Sequence, residues 1–324
     1  MPTRRRSLLL AAAAGLAAPA LARAQAWPGE RPIEIVVPYP PGGGVDVMTR
    51  LLMPIVAGHL GGGAKTIVTN RAGAGGQLGF EAAFNAAPDG WTLGAISAPA
   101  VPAIALERPV RYRPLDFTFL ANVVDDPNCV QVRGDGPLRT LADLAAAAKA
   151  QPGHLHYGTT GVGSDDHILM LQFQALAGVP PMVHVPYSGG APALQALLGG
   201  HVPMLVGNMS DAVAQVREGR MRYLAGAMAA RWPVLPEVPT FREQGFDLVA
   251  GASRGFVAPP GLPEPICRRL EAAFAAAIAD PAFLREAERL FLPLRPLVGA
   301  AYRDMVAEME VGLRRLWQRQ PWRE

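Results

Sequence analysis

The residues best suited to hold a ligand are Pro41, Gly42, Gly43, Gly44, Val45 and Asp46, a triple-glycine turn between the apolar run 33–37 and a helical pattern. A turn of this kind leaves peptide N–H groups free at a helix N-terminus, beyond the carboxyl end of a strand. An anion can bind there without a basic side chain. Two anions fit: a phosphate in a nucleotide enzyme, or the carboxylate of a small solute in a binding protein. The phosphate reading needs further residues that PGGGVD lacks, namely the lysine and hydroxyl residue of a P-loop. GAGGQLG at 73–79 places its last glycine one residue late for a dinucleotide fingerprint, and GGGAKT at 61–66 offers Lys-Thr without the glycine frame.

Other reactive side chains give weaker patterns. His154 and His156 alternate on a strand-like segment and share a face, but the spacing supplies no third ligand, so no metal is expected. Ser164 and His167 lie within one helical turn and have no nucleophile-elbow context. A secreted enzyme using Asp46, Asp166 and His167 for acid–base work is the rival to a binding protein. Cys129 and Cys267 are the only cysteines, and both pairing and free thiols fit the sequence.

The elements that must position these residues alternate. Segments 33–37, 65–69, 92–96, 129–132, 154–157, 183–185 and 204–206 read as short strands, with helical patterns between them. Thr140 with Asp143 predicts a capped helix over 141–150, ended by Pro152-Gly153. Ser164 predicts a cap for a helix running to about residue 177, stopped by Gly178, and a third helix is predicted over 191–198. The alternation argues for α/β lobes with mainly parallel sheets. Segments 263–279, 281–290 and 298–318 are helix-rich, with charged faces that suit packing around a lobe.

Arg4, Arg5 and Arg6 precede an apolar stretch over 8–22, and Ala24-Gln25-Ala26 supplies small residues for cleavage, so residues 1–26 read as a secretory signal on the general or twin-arginine route. No later segment is long and apolar enough to span a membrane. The signal carries four arginines and no acid, so the formal charge of +3 becomes 3 − 4 = −1 after cleavage. With Lys65 and Lys149 the only lysines, nothing points to nucleic acid. About 298 remaining residues predict two lobes: residues 27–125 with 253–324, and 126–252, joined by strands crossing near 124–130 and 249–257.

Six motifs occur in order: WPGERPIEIVVPYPPGGGVD, VTNRAGAGGQLGFEAAFNAAPDGWTLG, YGTTGVGSDDH, VPYSGGAPALQALLGGHVPML, LPEVPTFREQGF and GFVAPPGLPEPICRRL. Together they resemble the Bordetella-uptake-gene family, the extracytoplasmic solute-binding proteins of tripartite tricarboxylate transporters, over nearly the whole exported chain. The resemblance implies a two-lobed periplasmic binding protein that closes like a flytrap on an organic acid, amino acid or small aromatic carboxylate. It also implies a membrane permease as partner and no cofactor. A monomer is expected. Two glycine-rich loops are then expected to grip the ligand carboxylate from opposite lobes through backbone groups and water: Tyr39 to Asp46, and Thr159, Thr160, Gly161, Gly163 and Ser164 with the following Asp166 and His167. Ser97, Tyr187, Asn208 and Arg254 complete the candidate ligand-binding set.

Three residues depart from the family pattern. Asp165 and Asp166 stand before His167 where neutral residues are usual; they fit either a helix first turn or a contact to an ammonium, amide or hydroxyl on the ligand. Ser188 replaces a common basic residue. Arg254 replaces a common aromatic, and fits either a relocated carboxylate clamp or a hinge salt bridge.

Overall fold

The structure, a computed structural model, describes residues 27–322. The export signal read in residues 1–26 lies outside the described residues. The first elements are β1 (Ile33–Val37), α1 (Gly44–Leu60), β2 (Thr66–Asn70), α2 (Gln77–Phe84), β3 (Thr92–Ser97) and α3 (Ala100–Glu107). There follow β4 (Thr118–Arg133), α4 (Leu141–Ala150), β5 (His156–Thr159), α5 (Asp165–Ala177), β6 (Val183–Pro186), α6 (Gly190–Leu198) and β7 (Met204–Asn208). The chain ends with α7 (Val213–Arg217), β8 (Met221–Gly226), β9 (Gly251–Ala258), α8 (Glu264–Ile278), α9 (Pro281–Arg289), β10 (Leu294–Val298) and α10 (Ala300–Arg319).

β4 organises the molecule. Its first part pairs antiparallel with β9 and β10, and its last part pairs antiparallel with β7 and β8. One sheet is completed by the parallel set β2-β1-β3, with β3 against β9; the other by β5, parallel to both β6 and β7. The two sheets therefore share a single strand, and the chain returns from the second to the first through β9. The full length of β4 is hidden in the sequence by the polar run Asp125-Asp126-Pro127-Asn128: residues 129–132 read as a strand and 124–130 as a crossing, while 118–123 are not marked as part of it.

Each sheet is covered on both faces. In the first, Ile35, Leu93 and Phe256 pack beneath α1, α8 and α9, while Val36, Ile96 and Val257 pack on the other side against Phe80 of α2, Ile104 of α3 and Tyr302 of α10. In the second, Leu169 and Phe173 of α5 join Val130 and Val206 on one face, and Ala193 and Leu197 of α6 join Leu205 and Met221 on the other. These layers remove apolar area from water at roughly 25 cal/mol per Å², the main stabilising term. A fifth cluster, Ala103, Ile168, Leu313 and Trp322, ties the end of α10 to helices α3 and α5 of different layers.

Local signals match where they are strong. Thr140 and Asp143 form a reciprocal capping box on α4, Ser164 Oγ accepts from His167 N at the start of α5, and Gly178 ends that helix at φ 56°. β8 and β10 were not legible as strands; β10 occupies the residues just before α10, which begins at Ala300 rather than at 298. Cys129 is buried in β4, Cys267 lies in α8, and both are free thiols. Among the described residues no helix is long and apolar enough to cross a membrane.

Candidate functional site

The turn after β1 is held open by Asp46, a nearly inaccessible side chain at 2% exposure. Its Oδ2 accepts from Gly42 N at 2.9 Å, where Gly42 turns through φ +85°, and its Oδ1 accepts from Asn70 Nδ2 at 2.8 Å and Arg50 Nε at 3.0 Å. Burial opposes the charge on Asp46, but the bonds from Arg50, Gly42 and Asn70 hold its pKa below the ordinary carboxylate value. Asp46 thus braces the loop from behind. The N–H groups of Gly43, Gly44 and Val45 start α1 with no side-chain cap and no acceptor among the described residues.

A second uncapped N-terminus faces this one. Gly189 precedes α6 without a side-chain cap, and a β-carbon at Gly43 would lie 4.0 Å from both Gly190 N and Ala191 N. A small cavity of about 40 Å³ lies between them, lined by Tyr39, Gly43, Gly44, Val45, Ser97, Thr160, Asp165, Gly189, Gly190, Asn208, Asp211, Ala252 and Arg254. The two layers already meet at its rim: a β-carbon at Gly189 would stand 3.0 Å from Pro40 Cδ, and one at Gly161 would stand 3.2 Å from Gly75 Cα.

The Thr159 to Ser164 turn differs from the α1 turn. Gly161 N donates to Thr159 Oγ1 at 3.2 Å, Gly163 N to His167 Nδ1 at 3.3 Å, Ser164 N to Gly161 O at 3.2 Å, and Thr160 N to Asp166 Oδ2 at 3.2 Å. Those donors are spent inside the protein, and only Thr160 reaches the cavity wall. Behind the turn His167 stacks on His184 at 3.9 Å and 7°, and His184 stacks in turn on Tyr157. Burial lowers the pKa of His167 to about 3, helped by His184, and that of His184 to about 4, so both rings are neutral near pH 7.

Of the candidate residues, Tyr39, Gly43, Gly44, Val45, Ser97, Thr160, Asn208 and Arg254 share the cavity wall. Pro41, Gly42, Asp46, Thr159, Gly161, Gly163, Ser164, Asp166, His167 and Tyr187 stand behind it or beside it. The physical reason is common to most of them: their polar atoms are already used to shape the two turns. Ser188 is exposed and off the wall. Asp165, rather than Asp166, reaches the cavity, and Gly189, Gly190, Asp211 and Ala252 line it without having been singled out in the sequence. An Asn-x-x-Asp capping pair, Asn208 with Asp211, was the available signal for Asp211. The acid–base trio Asp46, Asp166 and His167 has no member on the wall. His154 and His156 are exposed, and among the described residues no group of three His, Cys, Asp or Glu is placed to hold a metal.

Charge is concentrated on one side. Arg254, 3% exposed, lies 3.1 Å from Asp126 Oδ2 through Nη1, and its Nη2 donates to Asn208 Oδ1 at 2.9 Å and lies 3.4 Å from Asp211 Oδ1. Burial opposes its charge, but Asp126, Asp211, Asp165 and Asp166 outweigh that and raise its pKa. Burial pushes Asp126 up to about 7 against the pull of Arg254, and raises Asp165 and Asp166 as well. The Tyr39 hydroxyl is kept neutral by burial and by Asp165, beside Ser97.

Residues 54–290 match the family described as "Tripartite tricarboxylate transporter family receptor". Protein BugT of Bordetella pertussis is 37% identical over 254 residues, 77% of this chain and 76% of its own. Among solved structures, the periplasmic binding protein BugD superposes with a TM-score of 0.84 at 28% identity, over 90% of this chain and 97% of that one. MatC from Rhodopseudomonas palustris, solved with bound malate, superposes with a TM-score of 0.81 at 32% identity, over 89% and 99% of the two chains.

Proposed function

The chain belongs to the tripartite tricarboxylate transporter receptor family, and on that premise we propose that it captures a small carboxylate-bearing solute in the periplasm for the membrane subunits of such a transporter. The observation that carries this reading is the pair of uncapped helix N-termini, α1 and α6, facing each other across the cavity. Each terminus favours a negative charge by about 0.3–1 kcal/mol, more when partly buried, and each hydrogen bond to a charged group adds about 1.5–3 kcal/mol. Tyr39, Ser97, Thr160 and Asn208 orient the rest of the solute. A bound malate in MatC supports a small carboxylic acid as the class of ligand.

The shared strand β4 and the returning β9 form the hinge about which the lobes open and close. Both sides of the cavity come from one chain, so a monomer suffices, and residues 1–26 direct export. Catalysis is not part of this reading. Thermal-shift measurements on the purified protein against a panel of mono-, di- and tricarboxylates, amino acids and aromatic acids test it: a ligand that binds only the native state raises the melting temperature with concentration. A panel in which only uncharged or purely cationic solutes stabilise the protein contradicts it.

A further inference from the structure

The cavity wall holds both signs of charge, and its acids outnumber its bases. Asp126, Asp165, Asp166 and Asp211 surround the single guanidinium of Arg254. Arg254 faces Asp126 and Asp211, so Asp165 has no ion-pair partner among the described residues. From other side chains Asp165 receives only neutral amides, Asn128 at 2.5 Å and Asn208 at 3.2 Å, and its own peptide N–H adds to them. Both bonds fall on Oδ2, so Oδ1 is left without a side-chain donor.

A second, independent feature lies a few ångströms away. Arg254 Nη1 is buried on the same wall and makes no hydrogen bond, although Asp126 is within ion-pair distance. It sits beside Gly44, at the free N-terminus of α1. An unbonded guanidinium nitrogen next to unbonded peptide N–H groups asks for a carboxylate; an unpaired carboxylate across from it asks for a cation. A second carboxylate on the ligand would meet Asp165 and Asp211 as like charges, which a selective site uses to reject a competitor.

We propose that this receptor takes a zwitterionic amino carboxylate, with its carboxylate on the α1 terminus and Arg254 and its ammonium on Asp165. The proposal rests on the carboxylate reading above and narrows it. Asp165 is then the specificity-determining residue, and acids that lack the cationic nitrogen are poor ligands because they leave it unpaired.

Calorimetry with matched pairs tests this: each common amino acid against the same acid without its amino group, for example alanine with propionate, aspartate with succinate and glutamate with glutarate, with malate as a hydroxyl control. The amino member of the best pair is expected to bind at least about tenfold more tightly than its partner, and Asp165→Asn, which keeps an acceptor for Asn128 and Asn208, is expected to erase most of that ratio. Propionate, succinate, glutarate or malate binding as tightly as the amino acids overturns the ammonium site and leaves carboxylate capture standing. An undiminished ratio in Asp165→Asn removes Asp165 from the role. Binding by no carboxylate of either kind overturns both readings.

Discussion

The guanidinium of Arg254 lies against the backbone of Gly44, so closely that a β-carbon at position 44 would stand 2.5 Å from Cζ. Gly44 is therefore required for a contact, not for a turn: any side chain there pushes the buried cation off the end of α1 and covers the free N–H groups.

Gly44→Ala is expected to weaken carboxylate binding by about tenfold or more, the equivalent of one lost charge-assisted bond. Gly58→Ala, in the last turn of the same helix with nothing within 4 Å of the new methyl group, is expected to leave binding unchanged and to stabilise the fold by at most about 0.5–1 kcal/mol. Calorimetry and urea denaturation of the two variants check the pair.

Ser164→Ala separates shape from contact. It removes the N-cap of α5 and is expected to cost about 1 kcal/mol of stability, while affinity for a carboxylate changes less than threefold, on the order of an indirect effect. A large loss of affinity at unchanged stability would return the second glycine turn to the binding surface.

The contrast between those two turns marks how far the sequence can be read. Alternating apolar runs, the Thr140–Asp143 box, Ser164 and Gly178 are local signals, and they give the α/β character and many element boundaries. The PGGGVD turn is also local, and its open N–H groups follow from Gly42 and the helix that begins after it. The partner of that turn was not local. TTGVGS resembles an anion loop as strongly as SGGA does, yet its donors are consumed by Thr159, Asp166 and His167, contacts that only the folded turn creates. Arg254 and Asp126 come together across 128 positions because β4 and β9 pair, and no spacing rule anticipates that.

The His167–His184 stack predicts a pH dependence of stability. Both histidines are neutral in the folded protein down to about pH 3–4, whereas in the unfolded chain they take up protons near the ordinary value of 6.5. The unfolded state binds more protons in that window, so this contribution to stability is present above about pH 6.5 and is lost as pH falls toward 4. Asp126 acts in the opposite sense: held up to about 7, it keeps a proton that the unfolded chain has released, so its contribution is lost as pH rises from about 4 to 7. His184→Phe keeps the stack and isolates the first effect. It is expected to be less stable than the parent near pH 7.5, by about 1 kcal/mol for the lost bond to Thr159, with the gap closing as pH falls to about 5. A gap that is constant with pH contradicts the assignment.

Lobe closure is tested in solution. A β-carbon at Gly189 would stand 3.0 Å from Pro40 Cδ and one at Gly161 would stand 3.2 Å from Gly75 Cα, so the proposed opening would separate both pairs. Scattering from the ligand-free protein should give a larger radius of gyration than scattering at saturation, and Gly161→Val should hold the wider form even with ligand present. Equal radii in all three samples would mean that the lobes do not move.

The central claim is that the carboxylate sits between the N-termini of α1 and α6. Amide resonances followed during titration with the tightest acid from the panel measure this most directly. The largest shifts are predicted at Gly43, Gly44, Val45, Gly190 and Ala191. Shifts concentrated instead at Gly161, Gly163 and Ser164, with those five unmoved, would contradict it.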